Sequence, residues 1–425
     1  VGRCWRLKPL RTFALVLALS PILQPAPPGR AQSGASAYPS TAFSLPAAPP
    51  PALPQLQAVI SCPQLQQRLQ RVIGPEANVW SVTVADAGGR LLADINGLRP
   101  RIPASNQKLI STAIALDRLG PQATLITRLW RQPDGTLRLT GEGDPDLDLA
   151  QVRRFAELAM ASGPTPRIAL VEEPQQRWWP AGWHWADRAE AYGAPITRLA
   201  LTSNALDMAV SNPPGRFSRL LGQEIRRRGG TAVISIVPAA EAAADNGELL
   251  HEERSIPLQG LLSLANTESH NFTAEVLLRQ GTGSWDLSLA RQRALQWLSS
   301  QGLPMDGVVV VDGSGLDRGN RVTSRFLAAL LLRMAHHPDA DSYLASMAVS
   351  GQRGTLRNLY RGTELEGQFR GKTGTISGVR AISGVLTTAD GPRYISMVSN
   401  GSGAPNITIG ALLRQSRIAG LCPTL

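Results

Sequence analysis

Two cysteines restrict what this chain of 425 residues can fold into more than any other feature. Of its three cysteines, Cys4 lies in a segment that reads as a leader. There Arg3, Arg6, Lys8 and Arg11 precede an apolar run from Phe13 to Leu23, and small residues follow at Gly29-Arg30-Ala31 and Ala35-Ser36-Ala37. The run falls short of the roughly 20 residues of a membrane span. Residues 1–31 are therefore expected to be a signal peptide removed on export, with an uncleaved anchor as the alternative. Residues 32–60 are rich in Pro, Ala and Ser around Pro49-Pro50-Pro51 and read as a linker. Globular sequence then runs from Cys62 to Cys422. In an oxidising compartment this pair is expected to form a disulfide, so the fold must bring its own two ends together. Two buried free thiols are the competing reading.

The sequence near each end can meet that demand. Apolar residues at 65, 69, 72 and 73 fit a helix, Val79–Val84 alternates like a strand, and Gly88-Gly89 turns it back through Arg90–Ile95. At the far end Val379–Thr388 and Arg393–Asn400 flank the turn Ala389-Asp390-Gly391, and Ile407–Ala419 reads as a helix. The expected fold is α/β (α+β), an antiparallel sheet flanked by helices. Between the ends come a hairpin around Pro133-Asp134-Gly135, a helix over 148–162, a strand over 167–172, a helix from Phe217 and a strand through Ile236. We read 61–125 with 255–425 as one domain and 126–254 as an inserted α/β accessory region. Four tryptophans crowd residues 178–185, which suits either a packing cluster or a sugar-stacking platform.

Lysine is the informative residue. Of 43 basic residues only Lys8, Lys108 and Lys372 are lysines, and Lys8 lies in the leader. Arginine serves wherever a permanent cation suffices, but it cannot act as a base. A compositional bias explains the scarcity and makes the two remaining lysines more telling. Lys108 closes Ser105-Asn106-Gln107-Lys108, where a turn feeds a helix ending near Gly120. Positions i and i+3 share a helix face, so the Ser105 hydroxyl and the Lys108 amine can meet, and a lysine of lowered pKa can activate that hydroxyl. Lys372 begins Lys372-Thr373-Gly374-Thr375 ahead of strand-like sequence. On an edge strand, such residues suit a carboxylate-ended ligand. A phosphate loop is excluded there, because position 366 is Glu and a strand follows.

Ser269-His270-Asn271 lies inside the helical pattern Leu261–Arg279. Ser269 and Asn271 face different ways on a regular helix, so their joint action requires a helix end or an irregular turn. No His/Cys cluster has metal spacing, so neither a metal nor another cofactor is expected. The first 60 residues carry five bases and no acid, which leaves +6 of the formal +11 for the remainder. Those charges are scattered without a basic, aromatic-studded face, which argues against nucleic acid. Weak peripheral association with anionic wall polymers or lipid headgroups stays open.

The order Ser-x-x-Lys, Ser-x-Asn, Lys-Thr-Gly resembles that of β-lactamases and penicillin-binding proteins. Together with Gly141-Glu142-Gly143-Asp144-Pro145, Tyr192-Gly193-Ala194-Pro195, Asp312-Gly313-Ser314-Gly315-Leu316 and Gly354-Thr355-Leu356, it is most similar to the class C, low-molecular-mass penicillin-binding proteins. These are D-Ala-D-Ala carboxypeptidases and endopeptidases. The 164 residues from Ser105 to Ser269 leave room for an inserted domain that simple β-lactamases lack. His270 departs from the Asp frequent at that position and is expected to alter pocket polarity. The resemblance implies a β-lactamase/transpeptidase-like domain, an exported periplasmic or envelope enzyme, peptidoglycan stem peptides as substrate and β-lactams as covalent inhibitors. It implies Ser105 as nucleophile, Lys108 as its base, and Ser269 with Lys372 as the proton relay. Ser105 and Thr375 amides would form the oxyanion hole, and Asn271, Thr373, Gly374 and Thr375 would hold substrate. A β-lactamase or esterase on the same scaffold, or a non-catalytic wall-binding protein, are the alternatives.

Overall fold

A computed structural model describes residues 53–240 and 247–422. The leader and the first part of the linker lie outside the described residues. Residues 53–61 do not form a free linker: Ile60 bridges Leu91, and the Gln57 and Ser61 amides donate to the Gly89 and Leu91 carbonyls, each at 2.8 Å.

Helix α1 (Pro63–Ile73) starts on a proline whose missing N–H costs nothing there, and it buries Leu65, Leu69 and Ile73 as one stripe. Strands β1 (Trp80–Asp86) and β2 (Leu91–Ile95) form a hairpin. The alternation in β1 does not mark a wet face, because all but its last residue are buried. Ser81 and Thr83 satisfy their hydroxyls internally, on the Asn96 carbonyl at 2.9 Å and the Asp94 carboxylate at 2.7 Å. A 3-10 turn over Ala104–Gln107 then leads into α2 (Lys108–Leu119).

The chain next builds a second sheet from β3 (Ile126–Arg131), β4 (Leu137–Gly141), α3 (Leu149–Ala161), β5 (Arg167–Glu172), the short α4 (Trp185–Ala189), α5 (Pro213–Arg227), β6 (Val233–Pro238) and β7 (Glu248–Arg254). Its order is β6-β5-β4-β3-β7, with parallel pairing at β4–β5 and β5–β6. Phe155, Phe217 and Leu221 of α3 and α5 pack with Leu139, Ile168 and Leu170 in a core belonging to this sheet.

Helices α6 (Leu258–Asn266), α7 (Asn271–Thr282), α8 (Leu287–Ser300), α9 (Ser324–Ala335) and α10 (Ala340–Ala345) follow. Then β8 (Ala348–Val349), β9 (Phe369–Ile376), β10 (Val379–Thr388), β11 (Gly391–Asn400) and α11 (Pro405–Arg417) complete the first sheet. Its order is β2-β1-β11-β10-β9-β8, antiparallel throughout. Apolar residues of α2, α6, α7 and α9 form one large core with Ala381, Tyr394 and Val398 of the sheet. Those of α1 and α11 form another with Trp80, Val82, Ile395 and Met397. Burial on both faces explains the weak polar alternation in these strands. Cys62 and Cys422 are disulfide-bonded with Cα atoms 5.2 Å apart. No helix of the described residues is long and apolar enough to cross a membrane.

Candidate active site

The serine turn is held from two sides by glycines. A side chain on Gly374 would stand 2.6 Å from the Pro103 carbonyl, and one on Gly315 would stand 1.9 Å from the Ala104 carbonyl. Strand β9 and the loop after Asp312 can therefore close on Ala104, itself in the left-handed region at φ 47°. The missing Cβ of Gly374, expected to serve substrate approach, also makes room for the serine turn.

Lys108 is fully buried at the start of α2 and donates to Ser105 Oγ at 2.9 Å, Asn271 Oδ1 at 2.6 Å and the Ser314 carbonyl at 2.7 Å. Burial pulls its amine down to about 7, against the opposing pull of the Asp312 and Glu275 carboxylates. An ammonium donates three hydrogen bonds, whereas a neutral amine donates two and accepts one. With the other two contacts made to oxygens that only accept, loss of the proton turns the Ser105 contact round. The hydroxyl then points its hydrogen at Nζ.

The helical pattern 261–279 is broken in the structure. α6 stops at Asn266, α7 begins at Asn271, and Ser269 between them has φ 64°. This kink points Ser269 at Lys372, whose Nζ lies 2.9 Å from Ser269 Oγ and 2.8 Å from the Thr373 carbonyl. Lys372 is buried, and both desolvation and the charge on Lys108 push its amine well below the usual range. Asn271 at the first turn of α7 reaches back with its amide nitrogen to the Tyr192 carbonyl at 2.9 Å. His270 turns instead to Thr273, 2.7 Å from Nδ1. Burial, aided by Lys108, lowers its imidazole to about 4.

Among the described residues β9 meets β8 only at Gly371 and Arg370, so residues 372–376 form a free edge there, beside Ser105. Thr373 Oγ1 lies 2.8 Å from Thr355 Oγ1, and Arg380 on β10 donates to Thr375 Oγ1. Two cavities meet at Ser105, Ser269 and Thr375. One, of about 370 Å³, runs past Thr373 and Arg380 towards Asn358 and Asn406. The other, of about 640 Å³, runs past Asn271 to Tyr192, Asp187 and Arg318.

Several further side chains support this site from behind. Asp312 accepts from Trp183 Nε1 at 2.8 Å, from the Gly315 and Asp317 amides at 2.7 Å each and from Asn320 Nδ2 at 2.7 Å. Trp178 and Trp183 are thus packing residues, whereas Trp185 stands 76% exposed. Glu275 and Arg279, both buried, pair at 2.8 Å. Their i,i+4 spacing resembles an ordinary surface pair, and nothing in the sequence distinguishes it. Among the described residues no group of His, Cys, Asp and Glu could hold a metal ion.

An antiparallel sheet with a serine-lysine turn beneath its free edge is the architecture of the penicillin-recognising serine hydrolases. The chain belongs to the D-Ala-D-Ala carboxypeptidase 3 (S13) family, whose model matches residues 64–215 and 200–410. It is 29% identical over 430 residues to the D-alanyl-D-alanine carboxypeptidase of Actinomadura sp. strain R39, covering 78% of this chain and 79% of that protein. Its fold is similar to penicillin-binding protein 4 of Haemophilus influenzae, with TM-score 0.70, 19% identity, and 82% and 98% of the two chains covered. A predatory peptidoglycan endopeptidase of Bdellovibrio bacteriovorus is similar at TM-score 0.53 and 18% identity, with 80% and 92% covered.

Proposed function

We propose that this protein is a serine-type D-Ala-D-Ala carboxypeptidase and endopeptidase acting on peptidoglycan stem peptides, and that β-lactams acylate it. The contact that carries the reading is Lys108 Nζ at 2.9 Å from Ser105 Oγ, made by a buried amine whose pKa lies near neutrality. Ser105 attacks the carbonyl of the penultimate D-Ala as neutral Lys108 takes its proton. The Ser105 and Thr375 amides stabilise the oxyanion. Ser269, polarised by Lys372, passes a proton to the departing amine. Asn271 holds the substrate amide, while Lys372, Thr373 and Thr375 meet the terminal carboxylate. Water then hydrolyses the ester.

The catalytic domain in this reading comprises 61–125 and 255–425, with 126–254 inserted as an accessory region. Export to the periplasm or cell envelope and peripheral contact with the membrane belong to the same proposal. The decisive experiment is the mass of the protein after penicillin treatment, with the modified peptide located and D-Ala release from a pentapeptide measured in parallel. An unmodified Ser105 together with neither D-Ala release nor cephalosporin turnover would remove the enzymatic reading. Rapid turnover of a cephalosporin without D-Ala release would make the protein a β-lactamase instead.

A further inference from the structure

Two cavities meet at Ser105, an arrangement that suits the two sides of the bond that is cut. In the function proposed above, on which this inference rests, the terminal carboxylate sits at Lys372 and Thr373. The cavity that continues beyond Thr373 therefore lies on the leaving-group side. A single D-alanine ends at that carboxylate, yet the cavity runs on to about 370 Å³ and reaches the first turn of α11.

Its far wall is built, not incidental. Thr355 is tied to Thr373 by their hydroxyls at 2.8 Å and donates its amide to the Thr267 carbonyl at 3.1 Å. Tyr360, in the left-handed region at φ 66°, lays its ring against α11 where Gly410 has no side chain; a Cβ there would stand 3.0 Å from the ring. This contact anchors the 354–360 segment on the helix. Asn358 on that segment and Asn406 on α11 both line the cavity and are exposed. Neither amide side chain has a hydrogen-bond partner among the described residues. Each offers one acceptor and two donors to an occupant, the complement of a peptide backbone. Ile409 adds an apolar floor.

We propose that Asn358, Tyr360, Asn406 and Ile409 form a subsite for a leaving group larger than one D-alanine: the acceptor peptide of a stem-peptide crosslink. The chemistry is unchanged. The Ser105 Oγ–acyl bond forms as the C–N bond breaks, the hydroxyl proton ends on the departing side-chain amine, and water regenerates the hydroxyl by hydrolysing the ester. The subsite sets specificity by holding the peptide attached to that amine.

The test compares the whole protein with its Asn358→Ala/Asn406→Ala variant on a D-Ala-D-Ala pentapeptide and on a purified crosslinked muropeptide dimer, with the rate of acylation by labelled penicillin as the check on folding. With two hydrogen bonds lost, kcat/KM on the dimer should fall about tenfold or more. Pentapeptide hydrolysis and penicillin acylation should stay within about twofold, since neither places a peptide in this cavity. Equal losses on both peptides, or an unchanged rate on the dimer, would overturn the subsite. A parent protein that releases D-Ala but leaves the dimer intact would also overturn it. Absence of penicillin labelling in the parent would instead remove the function on which it rests. An Asn406→Trp variant, which fills the cavity, should lose dimer cleavage selectively; full retention counts against the proposal.

Discussion

Glu275 is coupled to Lys108 through the backbone of one loop. Its Oε1 accepts the amides of Gly313 and Ser314, each at 2.8 Å, and the Ser314 carbonyl accepts from Lys108 Nζ at 2.7 Å. Arg279, paired with Glu275 at 2.8 Å, counters the burial that pushes the Glu275 carboxyl upward. A Glu275→Gln variant keeps an acceptor for the loop but removes a negative charge near Lys108. An anion favours the ammonium, so its loss lowers the Lys108 pKa further. The pH midpoint of penicillin acylation should move down. The plateau rate should fall about tenfold, because a charge-assisted hydrogen bond is replaced by a weaker one. A stopped-flow pH series measures both effects, with Asp312 and Lys372 as the other charges near Lys108 left in place.

Lys108→Arg should be nearly inert. The guanidinium keeps the positive charge but cannot take the Ser105 proton, and loss of a general base costs about 10²- to 10⁴-fold. In the unsubstituted protein the acylation rate should rise with pH through about 7, as Lys108 deprotonates, and level off above it. A profile flat between pH 5 and 9 would remove Lys108 from that role.

Gly374→Ala tests the approach of β9 to the serine turn. The added methyl meets a backbone carbonyl at 2.6 Å, so strand and turn must separate. Misplacement of order 1 Å costs up to about 10²-fold in rate. Acylation should fall by about 10- to 100-fold, while circular dichroism still reports a folded protein.

His270 should shape the acid limb of stability. It titrates near 4 in the fold, against 6.5 as its ordinary value. Above pH 6.5 both folded and unfolded states hold it neutral. As pH falls from 6.5 towards 4 the unfolded chain binds a proton that the folded one refuses, so stability declines through that window. The loss is on the order of 2–3 kcal/mol. His270→Asn should flatten the decline in urea melts run between pH 7 and 4.

The terminal strands, helices and hairpins were legible because each carries its own periodicity and turn residues. The Ser105–Lys108 contact was legible too, since it depends only on helix geometry. The break at Ser269 was legible only as a requirement: apolar periodicity runs from Leu261 to Arg279 without a pause, and one residue with φ 64° leaves no hydrophobic signature. Glu275–Arg279 and Arg380 escaped because burial of a charge is decided by what packs over it, which is remote in sequence. The adjacency of β1 and β11 is of the same kind, for Trp80 pairs with Ser399.

That adjacency orders the birth of the enzyme. β11 is hydrogen-bonded to β1 on one side and β10 on the other. The catalytic sheet therefore cannot close until residue 400 has been synthesised. The five strands between Ile126 and Arg254 need no partner from outside that span, so their sheet can assemble while the rest is still being made. Pairings so distant along the chain make for slow closure. In this reading, a ribosome-bound or truncated chain lacking the last two strands carries Ser105 and Lys108 with no edge of β9 braced beside them. It holds the nucleophile without the enzyme, and acylating power arrives only once β10 and β11 have joined the sheet.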